Sequence, residues 1–188
     1  GVLVRVFGKI PFADLEPDLQ GFAKQVLNNE PPSGRMKCLT LLATAGEEEA
    51  WNSRKSSSSH KALPLQSEES VSRSPMIAQL IRQLGVEIGT LLSSNKQVVI
   101  DVDQHTFNVF FVGEAPGSPY IPAQQEFVIP YGVRSVLGFG GLLPNGELFA
   151  TVLFCRVSVP RNAADLFRTL ALNLKLSLLP FVGRRMFA

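Results

Sequence analysis

Along this chain the spacing of apolar positions changes several times, and each change marks an element. Leu15, Leu19, Phe22, Ala23, Val26 and Leu27 recur at helical spacing, with Pro17 suited to a first turn, which predicts an N-terminal helix over 15–28. Asn28, Asn29 and the Pro31-Pro32-Ser33-Gly34 run end it. The run 36–44 is short, apolar and bounded by turn residues, and reads as a buried strand, the first of a sheet. Ser74 and Pro75 open a second helix whose stripe is Ile77, Leu80, Ile81, Leu84, Ile88 and Leu91, and which should end by Asn95. Gly85 and Gly89 lie inside that pattern, each weakening it by about 1 kcal/mol relative to Ala, and suggest close approach of another backbone. The β-branched and aromatic content of 98–100 and 106–112 predicts strands, and 123–129 a short helix. Residues 2–10 alternate weakly, and an edge strand and the tail of an upstream element both fit them.

The stretch 127–159 organises the rest. Its two arms, 134–143 and 147–157, are rich in Val, Leu and Phe, and Pro144-Asn145-Gly146 sits between them. Pro144 presets a turn φ, while Asn145 and Gly146 tolerate φ > 0, so the stretch predicts a β-hairpin. The second arm has Leu148, Ala150, Val152 and Phe154 on one face and Phe149, Thr151, Leu153, Cys155 and Val157 on the other. A strand apolar on both faces is central and covered on both sides. Beyond Pro160, Asn162 and Asp165 suggest a capping box for a terminal helix over 162–179. Ala163, Leu166, Phe167, Leu170, Ala171, Leu174 and Leu178 form one stripe, and Leu172, Leu176 and Leu179 a second. A helix on the surface of a monomer needs only one stripe. The second predicts a partner, most simply the same helix of another copy.

The strand Gly132-Val133-Arg134-Ser135-Val136-Leu137, a glycine-bearing turn, the Gly146-Glu147-Leu148-Phe149-Ala150-Thr151-Val152-Leu153-Phe154 strand, Pro160 and an amphipathic helix follow in that order. This order resembles the C-terminal half of a GAF domain, the sensory module of bacterial signal-transduction proteins such as histidine kinases. The resemblance reaches from about residue 36 to 180 and is dense from 117 onward. It implies one α+β domain over 1–188, with a central antiparallel sheet. N- and C-terminal helices would cover one face, and pocket-forming loops and short helices the other. It further implies a small molecule bound under those loops, and a terminal helix that passes a change to an output domain. The 184–188 tail fits either the stump of such a linker or a natural end. The residue pattern of cyclic-nucleotide-binding members and the adjacent Cys-His pair of bilin-binding members are not found, so no cofactor is identified.

Composition narrows the picture little. The 188 residues are 45% hydrophobic and 18% charged, with a net charge of +2, an ordinary globular balance for one domain. No basic stripe with interleaved aromatics points to nucleic acid. No apolar run approaches the roughly 18 residues of a membrane span, nor do the first residues read as a signal peptide. Cys38 and Cys155 lie in apolar segments without metal or redox spacing, which suits reduced thiols in a cytoplasmic protein.

Candidate chemistry is sparse. The polar run 45–61 is long enough to be a mobile, functional loop, and Trp51, Arg54 and His60 on it are candidates to close over a ligand. The alternative is a tryptophan that anchors the loop on the core among solvated serines. The Pro/Gly-rich loop 114–122 carries Tyr120, which by the resemblance lines the pocket, together with Arg134, Phe139 and Cys155. Each of these also has a purely structural reading. Asp101, Asp103 and His105 alternate on one face of an extended chain, but lack an evident fourth ligand, so a solvated turn is preferred to a metal site. Haem through His60 or His105 has no further support. The 132–135 turn does not fit a serine-hydrolase elbow, and 138–141 leads into no helix that would cradle a phosphate. Three readings remain: a non-enzymatic small-molecule sensor, a ligand-free dimerisation spacer of the same fold, and a cysteine-dependent reductase.

Overall fold

The computed structural model describes residues 1–28, 30–92 and 109–183. Six strands form one sheet: β1 (Leu3–Pro11), β2 (Lys37–Gly46), β3 (Ala62–Leu65), β4 (Val109–Val112), β5 (Ser135–Leu142) and β6 (Leu148–Cys155). Their spatial order is β3-β2-β1-β6-β5-β4, and every neighbouring pair is antiparallel. The architecture is thus α+β. The weakly alternating N-terminal run is a central strand, paired with β2 along its whole length and with β6 from Leu3 to Gly8. It reads poorly because charged residues interrupt it, and the run 36–44 is consequently the second strand.

A bulge sets which side chains share a face. The β1–β2 register jumps from Val6↔Ala43 to Phe7↔Leu41, so β2 carries one extra residue, Leu42. As a result Leu39, Leu41, Thr44 and Gly46 share a face with Leu3, Arg5, Phe7 and Lys9. Cys38 and Leu42 lie on the other face with Gly8 and Ile10. A Cβ on Gly8 would come within 2.9 Å of Leu42 Cδ1, so a larger residue there would displace Leu42.

The two faces are covered differently. On the first, which we call the helix face, Ile10, Cys38 and Ala62 pack under Leu15, Leu19 and Ala23, the last two of which belong to α1 (Pro17–Val26). Phe139 of the same face stacks 5.8 Å from Phe167, the first residue of α6 (Phe167–Leu178). On the second, the loop face, Leu3, Phe7, Leu39, Val136, Ala150 and Val152 form one core with Ile77, Leu80 and Ile81. Those three belong to α3 (Pro75–Gln83), which lies between two short helices, α2 (Glu68–Ser72) and α4 (Ile88–Leu92). Gly138 lets α3 sit close: a Cβ there would stand 3.4 Å from Leu80 Cδ1 and 3.0 Å from the Thr151 carbonyl oxygen.

Several boundaries differ from expectation, for local reasons. The helix predicted to run to residue 95 stops at Gln83. Gly85 takes φ +74°, and the Val86 N–H returns to the Ile81 carbonyl, so this glycine terminates the helix rather than admitting a neighbouring backbone. Ser74 makes no side-chain cap, whereas Ser67 and Ser70 form a reciprocal capping box that starts α2. Strand β3 and α2, hidden in a polar context, had no sequence signal strong enough to place them. The terminal helix divides at Leu166 into α5 (Arg161–Asp165) and α6. Pro160 caps α5, and Asp165 pairs with Arg161 and Arg168 instead of closing a capping box. The hairpin forms as expected: Gly146 has φ +76°, and its N–H donates to the Leu143 carbonyl. The expected short helix is a π-helical turn, Gln124–Val128.

Candidate functional site

Strand β1 puts two cations into the loop face. Arg5 is only 7% exposed and Lys9 3%, alternating with Leu3 and Phe7, which belong to the core. Burial of a charge is unfavourable unless it is paired. Neither meets a carboxylate within ion-pair distance among the described residues. Arg5 Nη2 donates to Ser57 Oγ at 3.0 Å and Nη1 to the Ser59 carbonyl at 3.2 Å. Lys9 Nζ donates to the Leu91 carbonyl, at the end of α4, at 3.2 Å. Desolvation pulls the Arg5 guanidinium below its ordinary range. The Lys9 ammonium falls to about 8, chiefly by burial and then by repulsion from Lys37, with Glu147 partly opposing.

The segment between β2 and β3 covers Arg5. Asn52 folds its start, accepting from the Gly46 N–H at 2.9 Å and donating to the Glu48 carbonyl. Ser56 Oγ donates to the Ala50 carbonyl, and Lys61 Nζ to the Lys55 carbonyl. Trp51 lies on the loop face, its ring 4.7 Å from Tyr131 and 5.6 Å from Phe127, and Phe127 stacks edge-on against Phe154. These four aromatic rings close the end of the loop face beside Leu3. A Cβ on Gly46 would meet the Trp51 ring at 2.8 Å, so the glycine makes room for the indole. His60 adopts φ +57° at the other end of the segment. Its outer edge is exposed, yet desolvation against the loop and then the Arg5 charge lower its imidazole pKa.

The seven residues singled out from the sequence do not converge. Trp51 and His60 share the loop-face cover. Arg54 pairs with Glu16, at the start of α1, so its charge is engaged within the fold. Tyr120 is 39% exposed and lines a shallow, open groove of about 400 Å³ with Phe111, Glu114 and Pro119. Arg134 is exposed at the entrance to β5, and its backbone bridges the Cys155 carbonyl and the Ala115 N–H. Phe139 and Cys155 lie on the helix face, opposite Trp51, because odd-numbered positions of β5 and β6 point there. The expectation of one pocket lined by all seven is therefore corrected: strand alternation separates them.

Burial pushes the Cys38 thiol up to about 12 and raises that of Cys155 as well. Both are free thiols, and their partners in the ladder, Ile10 for Cys38 and Ser135 for Cys155, place them toward opposite ends of the sheet. Among the described residues no three His, Cys, Asp or Glu side chains are placed to share a metal ion. Asp101, Asp103 and His105 lie outside the described residues. No helix among those described is long and apolar enough to cross a membrane.

Sequence reasoning missed Arg5, Lys9, Thr44 and Ser57. The signal for the first two was present: they fall in phase with Leu3 and Phe7 in a strand whose remaining positions are also apolar. Charges on the inner face of a strand with no wet side are costly and ask for a partner. Thr44 and Ser57 carried no such signal, since only the bulge at Leu42 and the fold of the loop bring them to Arg5. Comparison with protein-family profiles, with curated proteins and with solved structures finds no match to this chain.

Proposed function

We propose that the chain is a non-enzymatic sensory domain of the GAF type. It binds a small molecule on the loop face of the sheet and signals through its terminal helices to an output domain such as a histidine kinase. The observation that carries this reading is the inequality of the two faces. The helix face under α1 is packed by apolar side chains, whereas the loop face, under short helices and a long connection, holds two buried cations that meet no carboxylate within ion-pair distance among the described residues. A ligand acts on such a domain through differential affinity, by favouring one packing of the cover over another. The terminal helix supplies an output surface: Leu172, Leu176, Leu179 and Phe181 are exposed, and so, against the expected stripe, are Leu166 and Leu170. An apolar surface of this kind suits a homodimer built on that helix.

A second reading, a ligand-free dimerisation spacer, is favoured by one specific observation. Trp51, Phe127, Tyr131 and Phe154 fill one end of the loop face with the protein's own rings. The reductase reading has the least support, since both thiols are held protonated. Native mass spectrometry beside a denatured sample, with an absorption spectrum, separates the first two. Extra mass or colour lost on denaturation favours the sensor, a clean dimer the spacer, and a clean monomer removes the helix-mediated dimer from both.

A further inference from the structure

We infer that the loop face binds a carboxylate-bearing small molecule, and that the Arg5 guanidinium, with the Thr44 hydroxyl across the ladder, is its receptor. The inference rests on the sensory reading above and gives it a ligand chemistry. Its starting point is a pair of buried polar atoms without partners. Arg5 Nε and Thr44 Oγ1 are both shielded from solvent, and neither has a hydrogen bond among the described residues. They belong to directly opposed residues of β1 and β2, and the bulge at Leu42 turns both side chains to the same face. A buried donor left unpaired is costly, and two side by side form an exception that asks for an explanation.

The chemistry of the donors selects the ligand. A guanidinium presents N–H groups in a planar fork that matches the two oxygens of a carboxylate, and Nε supplies one tine of its side-on edge. The second tine is a terminal N–H, and Ser57 Oγ now engages Nη2 at 3.0 Å. A carboxylate would take Nε–H and a terminal N–H together and accept the Thr44 hydroxyl proton. It would share Nη2, which carries two N–H groups, with Ser57 Oγ. A phosphate fits the same fork and brings a third anionic oxygen, for which the Ser57 hydroxyl is the donor that the described residues show at Arg5. The surrounding charge agrees: Lys9 adds a second buried cation on the same face, and His60 is held toward its neutral form by desolvation and then by Arg5. Ligand and loop thus share one guanidinium. Binding at Arg5 changes what holds residues 57–59 to the sheet, and couples site occupancy to the cover.

The test is titration of the full chain with sodium salts of formate, hexanoate, benzoate and succinate, followed by calorimetry and thermal shift, with inorganic phosphate and benzamide as controls. At least one carboxylate is expected to bind and to raise the melting temperature, while both controls leave it unchanged. Arg5→Gln should weaken that binding by about 10- to 100-fold and Thr44→Val by about 5-fold, from the strengths of charged and neutral hydrogen bonds. Hydrogen exchange in 53–60 should change on binding in the wild type, a readout that does not depend on Arg5→Gln folding. If native mass spectrometry reveals a bound molecule with no carboxylate, or if Arg5→Gln binds the carboxylate undiminished, this inference is wrong and the sensory reading stands. If the wild-type chain neither carries a ligand nor binds any of the four carboxylates, both are wrong and Arg5 is a latch for the loop alone.

Discussion

The helix face and the loop face of this sheet are made from alternate residues of the same strands, yet they follow different rules. Under α1 the contacts are Leu15, Leu19, Ala23, Ile10, Met36, Cys38 and Ala62, and the described residues bury no charged side chain on that face. On the loop face an apolar core of the same kind surrounds Arg5 and Lys9. Replacing buried ionic groups with apolar ones of similar size is often neutral or stabilising, so the second arrangement is not the one that packing alone would favour. On the sensory reading, the loop face gives up some stability to keep charge in place.

Substitution of apolar core residues and of the loop-face cations should therefore move stability in opposite directions. Leu19, fully buried on α1, has no polar role, and Leu19→Ala should lower unfolding stability by about 3 kcal/mol in urea titration. A loss under 1 kcal/mol would mean that α1 is not docked as described. Trp51→Ala, which removes one of the four rings of the aromatic group at the edge of the loop face, should cost about 2 kcal/mol and expose 45–61 to limited proteolysis. An unchanged cleavage pattern would show that the hydrogen bonds of the loop suffice to hold it.

Lys9→Met should do the reverse, raising stability at pH 7 by about 1 to 2 kcal/mol. The sign follows from its depressed pKa. An unfolded lysine holds its proton up to about 10.5, whereas the folded one releases it near 8. The penalty is complete below pH 8, and it is relieved as pH rises from there toward 10.5, so this residue makes wild-type stability increase across that window. The increase should be smaller in Lys9→Met than in the wild type when denaturation is followed at several pH values. Equal slopes in the two proteins would place the Lys9 ammonium in solvent.

The smallest effect on stability is expected on α6, outside both cores. Leu176 is 55% exposed, and the double substitution Leu172→Glu/Leu176→Glu should change unfolding stability by no more than about 0.5 kcal/mol. On the dimer reading it should nonetheless convert the protein to a monomer in sedimentation equilibrium. A variant that still dimerises would move the interface elsewhere.

How much of this was legible beforehand depended on how local each feature is. The hairpin was readable because its turn chemistry lies in three adjacent residues and its arms carry an unbroken apolar pattern. Helix α1 was readable from one stripe, whereas α3 was overextended because periodicity continues through Gly85 although the backbone does not. For the candidate site, Trp51 and His60 stand on the segment that covers Arg5, but the basic strand beneath them reads either as an edge strand or as the tail of an upstream element.

From the sequence alone come the α+β class, the hairpin and the two terminal helices, since propensity, spacing and turn residues act within a few positions. Tertiary structure decided the rest. The strand order made residues 3–11 central, and one extra residue at Leu42 turned Thr44 toward Arg5. The alternation of β5 and β6 carried Phe139 and Cys155 away from Trp51. These are matters of register and face, and a pleated strand reverses every side chain on a shift of one residue, which no short stretch of sequence encodes by itself.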